Sequence, residues 1–259
     1  MNPSVRLLKA GCSPDPLRAM ALPARLCYTK GMTIEQCDLN LSDEQCEALV
    51  KKVLDSKHLS VLEHTVFQFG VEGVSRNFSH QMVRHRNTSY EQQSLHYTLA
   101  NETMGVAAPA SLTELQKSRR SVLNELAFRI YKDEVDEGVP REEARHILPS
   151  GIETKLVMTA NLRQWLHFVT IRACVVNCQE ILVVAHKVKK LLEAELPMLK
   201  PYLGPTCWTE GTCHEGKKFC DAPWKPTCVV SGMGVAEPYL WQRGVGKVEG
   251  VKTVGGGPC

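Results

Sequence analysis

The stretch Thr65-Val-Phe-Gln-Phe-Gly-Val-Glu-Gly-Val74 decides the fold class. Phe67, Phe69 and Val71 stand at every second position, so an extended chain would bury one face and leave the other half open. That period of two is a strand. Upstream, Ser4-Val-Arg-Leu-Leu8 reads as a short strand, and downstream Thr154 to Thr159 alternates again. Between them the apolar period lengthens to that of a helix. Pro16 to Tyr28 reads as helix with Asp15 as its N-cap, and Ser42, followed by Glu44 and Gln45, opens a second through about Ser56. Ser111 to Glu137 predicts a long helix, and Leu162 to Arg172 and Val176 to Leu196 predict two more, the last stopped by Pro197. Strands interspersed with long helices, without a strict β-α-β period, predict an α+β fold: a mixed, largely antiparallel sheet packed with long helices.

Composition supports a folded protein. Of 259 residues, 43% are hydrophobic and 23% charged, which excludes wholesale disorder and fibrous repeats. That length buries a core without covalent staples. A net charge of +3 is too mild to argue a nucleic-acid partner. No apolar run approaches the roughly eighteen residues that a membrane helix needs. Arg6 and Lys9 interrupt what would be the apolar stretch of a signal peptide, so a cytoplasmic protein without a membrane partner is expected. Eleven of the eighteen glycines fall after Pro201. The composition therefore predicts a patterned catalytic body over residues 1–200 and a Cys/Gly-rich tail over 201–259, poorly ordered in its last part and dispensable beyond Asp221.

Eleven cysteines, an odd number, fit a reducing compartment better than a disulfide framework. Cys12, Cys27, Cys37, Cys46, Cys174 and Cys178 read as buried free thiols acting as small hydrophobes. Cys207, Cys213, Cys220 and Cys228, with His214 nearby, are candidate zinc ligands, because thiolate clusters favour that metal. Their spacings of five, six and seven intervening residues lack the short C-x-x-C knuckle, so structural metal, redox-active thiols and unpaired thiols all stay open.

The chemistry concentrates in Phe78-Ser-His-Gln-Met-Val-Arg-His-Arg-Asn-Thr-Ser-Tyr-Glu-Gln-Gln-Ser-Leu-His-Tyr97. No Gly-rich or Walker-type phosphate loop is present, so any nucleotide is held another way. If the first part is helical, Gln81 and Arg84 sit three apart on one face, with Arg86 at its end. Two arginines flanking His85 offer planar forked donors to phosphate or carboxylate oxygens. Thr88, Ser89, Gln92, Gln93 and Ser94 suit a nucleotide's sugar and base edge, although a bare Arg-His-Arg also fits a solvated basic turn. Farther on, helical spacing groups Asn161, Trp165, Phe168 and Arg172 on one face, with Arg163 and His167 on another. Polar groups on two faces suit a helix packed between ligands or subunits.

Arg84-His85-Arg86, then seven residues, then Ser94 and Tyr97, resembles the signature of the flavin-dependent thymidylate synthases. The likeness extends through Pro14-Asp-Pro16, Ala24-Arg-Leu-Cys-Tyr28, Leu62-Glu-His-Thr-Val-Phe67, Ala144-Arg-His-Ile-Leu-Pro149, Thr159-Ala-Asn-Leu-Arg163, Leu166-His-Phe168 and Ile171-Arg172. The resemblance implies a homotetramer binding FAD between chains. It further implies methylation of dUMP, with methylenetetrahydrofolate as carbon donor and NADPH as reductant. By the same match His64, Arg84, His85, Arg86, Asn161, Arg163 and His167 would contact FAD. Gln81, Gln92, Ser94, His96, Arg145 and Arg172 would hold dUMP, with Arg172 stabilising charge that develops on the pyrimidine. No cysteine lies in a segment like the nucleophile motif of the flavin-free synthases, and nothing in the sequence places a base beside Ser94, so no protein nucleophile is expected.

Three positions depart from that family's pattern: His96 where an arginine is usual, Gln92 where many members carry an acid, and Cys178 where many carry glutamine. The first predicts weak phosphate binding that His96→Arg would tighten. An inactive paralogue, a flavoprotein oxidase and a nucleic-acid-binding module using Arg84 to Arg86 and the tail are the alternative readings.

Overall fold

In the computed structural model, residues 2–101, 104–109, 111–215 and 220 are described. Four strands, β1 (Ser4–Leu7), β2 (Val66–Ser75), β3 (Ser89–Gln92) and β4 (Glu153–Asn161), form one sheet in the order β1-β2-β4-β3. All three pairings are antiparallel, with Phe69 opposite Met158 and Gln92 opposite Leu156. The sheet is thus wholly antiparallel among the described residues, within the α+β class that the alternation predicts.

The alternation in β2 does what its period requires: Phe67, Phe69 and Val71 are buried, while Val66, Gln68 and Gly70 are not fully so. Between Val71 and Val74 the register shifts at a bulge. Gly73 takes φ +69 there, and a Cβ on it would meet the Asn2 carbonyl oxygen at 2.8 Å, so both conformation and space require glycine.

The described residues also form the helices α1 (Pro16–Leu26), α2 (Ile34–Leu39), α3 (Asp43–Asp55), α4 (Arg76–Met82), α5 (Glu114–Asp136), α6 (Arg141–Ala144), α7 (Leu162–Arg172), α8 (Gln179–Glu195) and α9 (Thr206–Thr209). The Asp15 carboxylate accepts from Arg18 N, and Ser42 and Gln45 form a reciprocal capping box, so both sequence-read helix starts stand. Thr33 and Gln36 make the same box for α2, a helix that the apolar period had not revealed. Ser75 caps α4, and Asn161 caps α7 by accepting from Gln164 N at 2.9 Å.

The main core joins one sheet face to α1, α3, α7 and α8. Trp165 of α7 is its largest fully buried side chain, and its indole N–H lies 3.0 Å from Phe67 O and 3.1 Å from Ala160 O. Those two bonds fix α7 against the ends of β2 and β4. A smaller cluster seats the C-terminal half of α5 on Leu95, Ala100, Ala144 and Ile152 through Phe128 and Tyr131. Leu203 belongs to the main core and Cys207 is buried, so packing continues past the expected boundary at residue 200. The tail from Asp221 onward lies outside the described residues, as does Cys228.

Candidate active site

The element ends nearest one another carry the site. Helix α4 leaves the end of β2, and Gln81 sits in its last turn. The helix stops at Met82, with Val83 as its C-cap, so Arg84 lies in the following turn and does not share a helical face with Gln81 as the spacing had predicted. His85 N donates to Met82 O at 2.9 Å in that turn. The Tyr90 hydroxyl, from β3, closes the loop at 2.6 Å from Met82 O and 3.0 Å from His85 O. Ser89 and Gln92, two of the residues read from sequence as suiting a nucleotide's sugar and base edge, are edge-strand residues, and the Gln92 amide donates to Thr154 Oγ1 at 3.0 Å.

Arg172, the last residue of α7, comes back onto this loop. Its Nε donates to His85 Nε2 at 3.0 Å and its Nη1 to Asn177 Oδ1 at 3.2 Å. An imidazole that accepts at Nε2 is neutral and carries its proton on Nδ1. His85 is buried, and burial, reinforced by Arg172 and then His167, pushes its pKa down to about 4. The middle residue of the Arg-His-Arg motif thus faces inward onto Arg172 and packs edge-on against Phe168, with ring centroids 5.2 Å apart. Arg84 and Arg86 flank it, both exposed, and neither makes an ion pair among the described residues.

Histidine 186, buried in α8, also has its pKa depressed to about 4, chiefly by burial. In both cases the unfolded chain binds a proton that the folded one refuses between about pH 6.5 and 4. Stability is therefore present above the unfolded value and is lost as pH falls through that window. The unfolding midpoint should drop steeply between pH 6.5 and 4, and His186→Gln should flatten the profile. An equally steep profile in that variant would contradict this assignment.

The other sequence-predicted residues divide. His64 is exposed at the end of the short helical segment Leu59–His64, beside the start of α7, where Leu162 N donates to Thr65 O at 2.7 Å. Asn161 caps α7, Arg163 pairs with Glu63, and exposed His167 places its ring 6.1 Å from that of His85. Thr65, next to His64, is thus bonded to the start of α7, and His167 farther along that helix lies near His85 of the Arg84–Arg86 turn. Ser94 accepts from His96 N at 3.1 Å, and no base contacts its hydroxyl among the described residues. His96 Nδ1 faces Glu142 at 3.1 Å, a carboxylate that opposes the tightening expected of an arginine there.

Arg76 is a further candidate that the sequence reading passed over. Its Nη2 donates to Gln93 O at 3.2 Å, while its buried Nε has no partner. Its pKa is lowered by burial and then by Arg145, whose own Nε donates to Glu142 O at 3.1 Å. Two neighbouring guanidiniums without a carboxylate between them favour an anion. A cavity of about 1050 Å³ opens nearby, between Asn177, Cys178 and Glu180 on one side and Arg120, Asn124 and Phe128 of α5 on the other. It adjoins the Gln81–Arg172 end of the cluster; the Arg84, Arg86 and His167 side is open surface.

All nine cysteines among the described residues are free thiols. Cys37, Cys46 and Cys207 are buried, but Cys27 and Cys178 are exposed, against the expectation that the body cysteines serve as core hydrophobes. Among the described residues no three His, Cys, Asp or Glu side chains stand close enough to hold a metal, so Cys207, Cys213 and Cys220 do not form a ligand set there. Cys174, not foreseen with them, lies within electrostatic reach of all three, and burial pushes the Cys207 thiol up to about 11. Among the described residues no helix is long and apolar enough to cross a membrane.

An antiparallel sheet thus carries a loop of arginines and histidines against the end of α7, in an α+β fold whose cationic donors are of the kind that suits anionic groups. Residues 6–198 match the family model Thy1, thymidylate synthase complementing protein. The flavin-dependent thymidylate synthase of Geobacter sulfurreducens is 40% identical over 212 residues, covering 80% of this chain and 90% of that relative. Enzymes of the same name from Clostridium tetani and Thermococcus onnurineus are 30% and 33% identical, over 85% and 88% of this chain and 94% and 96% of theirs. The chain belongs to the Thy1 family.

Proposed function

We infer that this protein is a flavin-dependent thymidylate synthase: it methylates dUMP to dTMP, with FAD as cofactor, methylenetetrahydrofolate as carbon donor and NADPH as reductant. The observation that carries the reading is the Arg172–His85 contact, which joins the Arg-His-Arg loop to the end of α7 within a family of that activity.

The donors suit the flavin cofactor. Arg84 and Arg86 are exposed cations without ion pairs among the described residues, as a pyrophosphate needs, and His64, Asn161, Arg163 and His167 extend the same surface. Bound there, FAD supplies the hydride chemistry, which no protein side chain offers. The protein's part is positioning and electrostatics. Arg172, held at Nε and Nη1, keeps Nη2 for the pyrimidine and stabilises charge developing on the ring. Gln81 offers an amide to the base edge. Arg145 and Arg76 take the phosphate, aided by Ser94, with Gln92 at the end of β3 and His96 two residues beyond Ser94. Ser94 orients without attacking, since nothing activates it.

Self-association into a homotetramer accounts for α5. Along α5 Leu115, Val122, Leu123 and Leu126 are 62%, 64%, 65% and 49% exposed, a stripe that a subunit interface would cover. The free thiols fit a reducing cytoplasm.

Purified protein should be yellow, with flavin absorbance that NADPH bleaches; colourless protein that takes up no added FAD would refute the reading. Arg76→Ala should retain flavin yet raise the dUMP dissociation constant about tenfold to a hundredfold, the loss expected for a charge-assisted contact. Equilibrium dialysis checks this, and unchanged affinity would remove Arg76 from the phosphate site.

A further inference from the structure

Arg172 and Gln81 reach the site from different elements, the end of α7 and the end of α4, and neither is fixed by its own helix alone. The segment that touches both is Asn177-Cys178, immediately before α8. The Asn177 amide has a determined sense. Its Nδ2 donates to Ile171 O at 2.8 Å and to Cys174 O at 3.0 Å, which turns Oδ1 toward the Arg172 Nη1 at 3.2 Å. With His85 Nε2 accepting from Arg172 Nε at 3.0 Å, two acceptors lie along adjacent edges of one guanidinium and define its plane. Losing either leaves the group free to rotate.

Cys178 is the N-cap residue of α8, but its side chain makes no capping bond. Its sulfur instead lies 3.1 Å from Gln81 Nε2 and 3.4 Å from Gln81 Oε1. A thiol is both a weak donor and a weak acceptor, so it can brace the amide in either sense. The segment has a firm base two residues later, where the Glu180 carboxylate accepts from Ser75 N at 2.8 Å and Ser75 Oγ at 2.6 Å at the end of β2. Asn177 and Cys178 also border the cavity described above.

We propose that Asn177 and Cys178 are positioning residues for the pyrimidine of dUMP, Asn177 by setting the plane of Arg172 and Cys178 by holding the amide of Gln81. The proposal rests on the dUMP reading of this site. It assigns different kinetic signatures to neighbouring residues. Arg172 acts on charge that grows during reaction, so loosening it costs kcat as well as binding. Gln81 makes a binding contact, so loosening it raises KM and spares kcat.

The test uses flavin-loaded protein, with dUMP binding by equilibrium dialysis, flavin content by absorbance, unfolding midpoint and steady-state kinetics. Asn177→Ala should weaken dUMP about tenfold and lower kcat. Cys178→Ala should weaken dUMP about threefold to tenfold, with kcat kept, and Cys178→Ser should restore most of the loss. Flavin content should match the native protein in all three, and the unfolding midpoint should match it in both Cys178 variants. Unchanged dUMP affinity in both alanine variants overturns the proposal. So does a loss that tracks flavin release, or one that tracks a lowered midpoint in the Cys178 variants, which would mark a structural role. Native protein that holds flavin but binds no dUMP overturns the underlying reading of the site and this proposal with it, whereas native binding with unaffected variants overturns the proposal alone.

Discussion

Arg172→Ala is expected to lower kcat about a hundredfold to a thousandfold, the range seen when one preorganised donor to developing charge is removed. The side chain is held at two points before any ligand arrives, by neutral His85 and by Asn177, so in the proposed role its Nη2 would meet the substrate without reorganisation. Burial lowers the pKa of this guanidinium, yet an arginine stays charged at any working pH. Arg172→Lys should recover little, because an ammonium cannot span both acceptors and still offer a donor in the same plane. Flavin content should remain native in both variants, since the residues assigned to FAD are elsewhere. Single-turnover formation of dTMP from pre-reduced enzyme isolates the step. A rate within a few-fold of native would remove Arg172 from the reaction.

Trp165→Ala is expected to destabilise the fold by about 3–5 kcal/mol, a large share of the roughly 5–15 kcal/mol by which domains are stable. The indole is fully buried, packs edge-on to Phe69 at 4.8 Å and to Phe168 at 5.8 Å, and its N–H reaches two strand-end carbonyls. Removing it opens a cavity and strips Phe67 O and Ala160 O of that donor. Trp165→Phe keeps a ring but not the donor, so it should cost about 1–3 kcal/mol. Chemical denaturation with both variants measures the two losses. A shift in Trp165→Ala no larger than that in Trp165→Phe would mean that packing contributes little at this position.

What was legible in the sequence followed from local rules. Asp15 and Ser42 announce helices because a side-chain oxygen can satisfy orphan N–H groups, and β2 announces itself by burying every second residue. Strand β3 carries no such mark: Ser89-Tyr-Glu-Gln92 is polar throughout, apart from Tyr90, and is extended because β4 offers it an edge. The Thr33–Gln36 capping box did mark α2, but six residues are too few for an apolar period. The face of α7 that carries Trp165, Phe168 and Arg172 was readable from helical spacing. The Arg172–His85 contact spans 87 residues and belongs to tertiary structure. Arg76 was hidden by its place at a strand–helix junction, and Asn177 and Cys178 by their place in an irregular turn whose partners no local pattern reveals.

The most direct test of the central claim is the fate of a labelled methylene carbon. Purified protein reconstituted with FAD is incubated without oxygen with dUMP, NADPH and methylenetetrahydrofolate labelled in its one-carbon unit, and the nucleotide is analysed by mass spectrometry. The account predicts label in the methyl group of dTMP, formed by the native protein and severely slowed in Arg172→Ala. Oxidation of NADPH through the flavin with no labelled dTMP would contradict it.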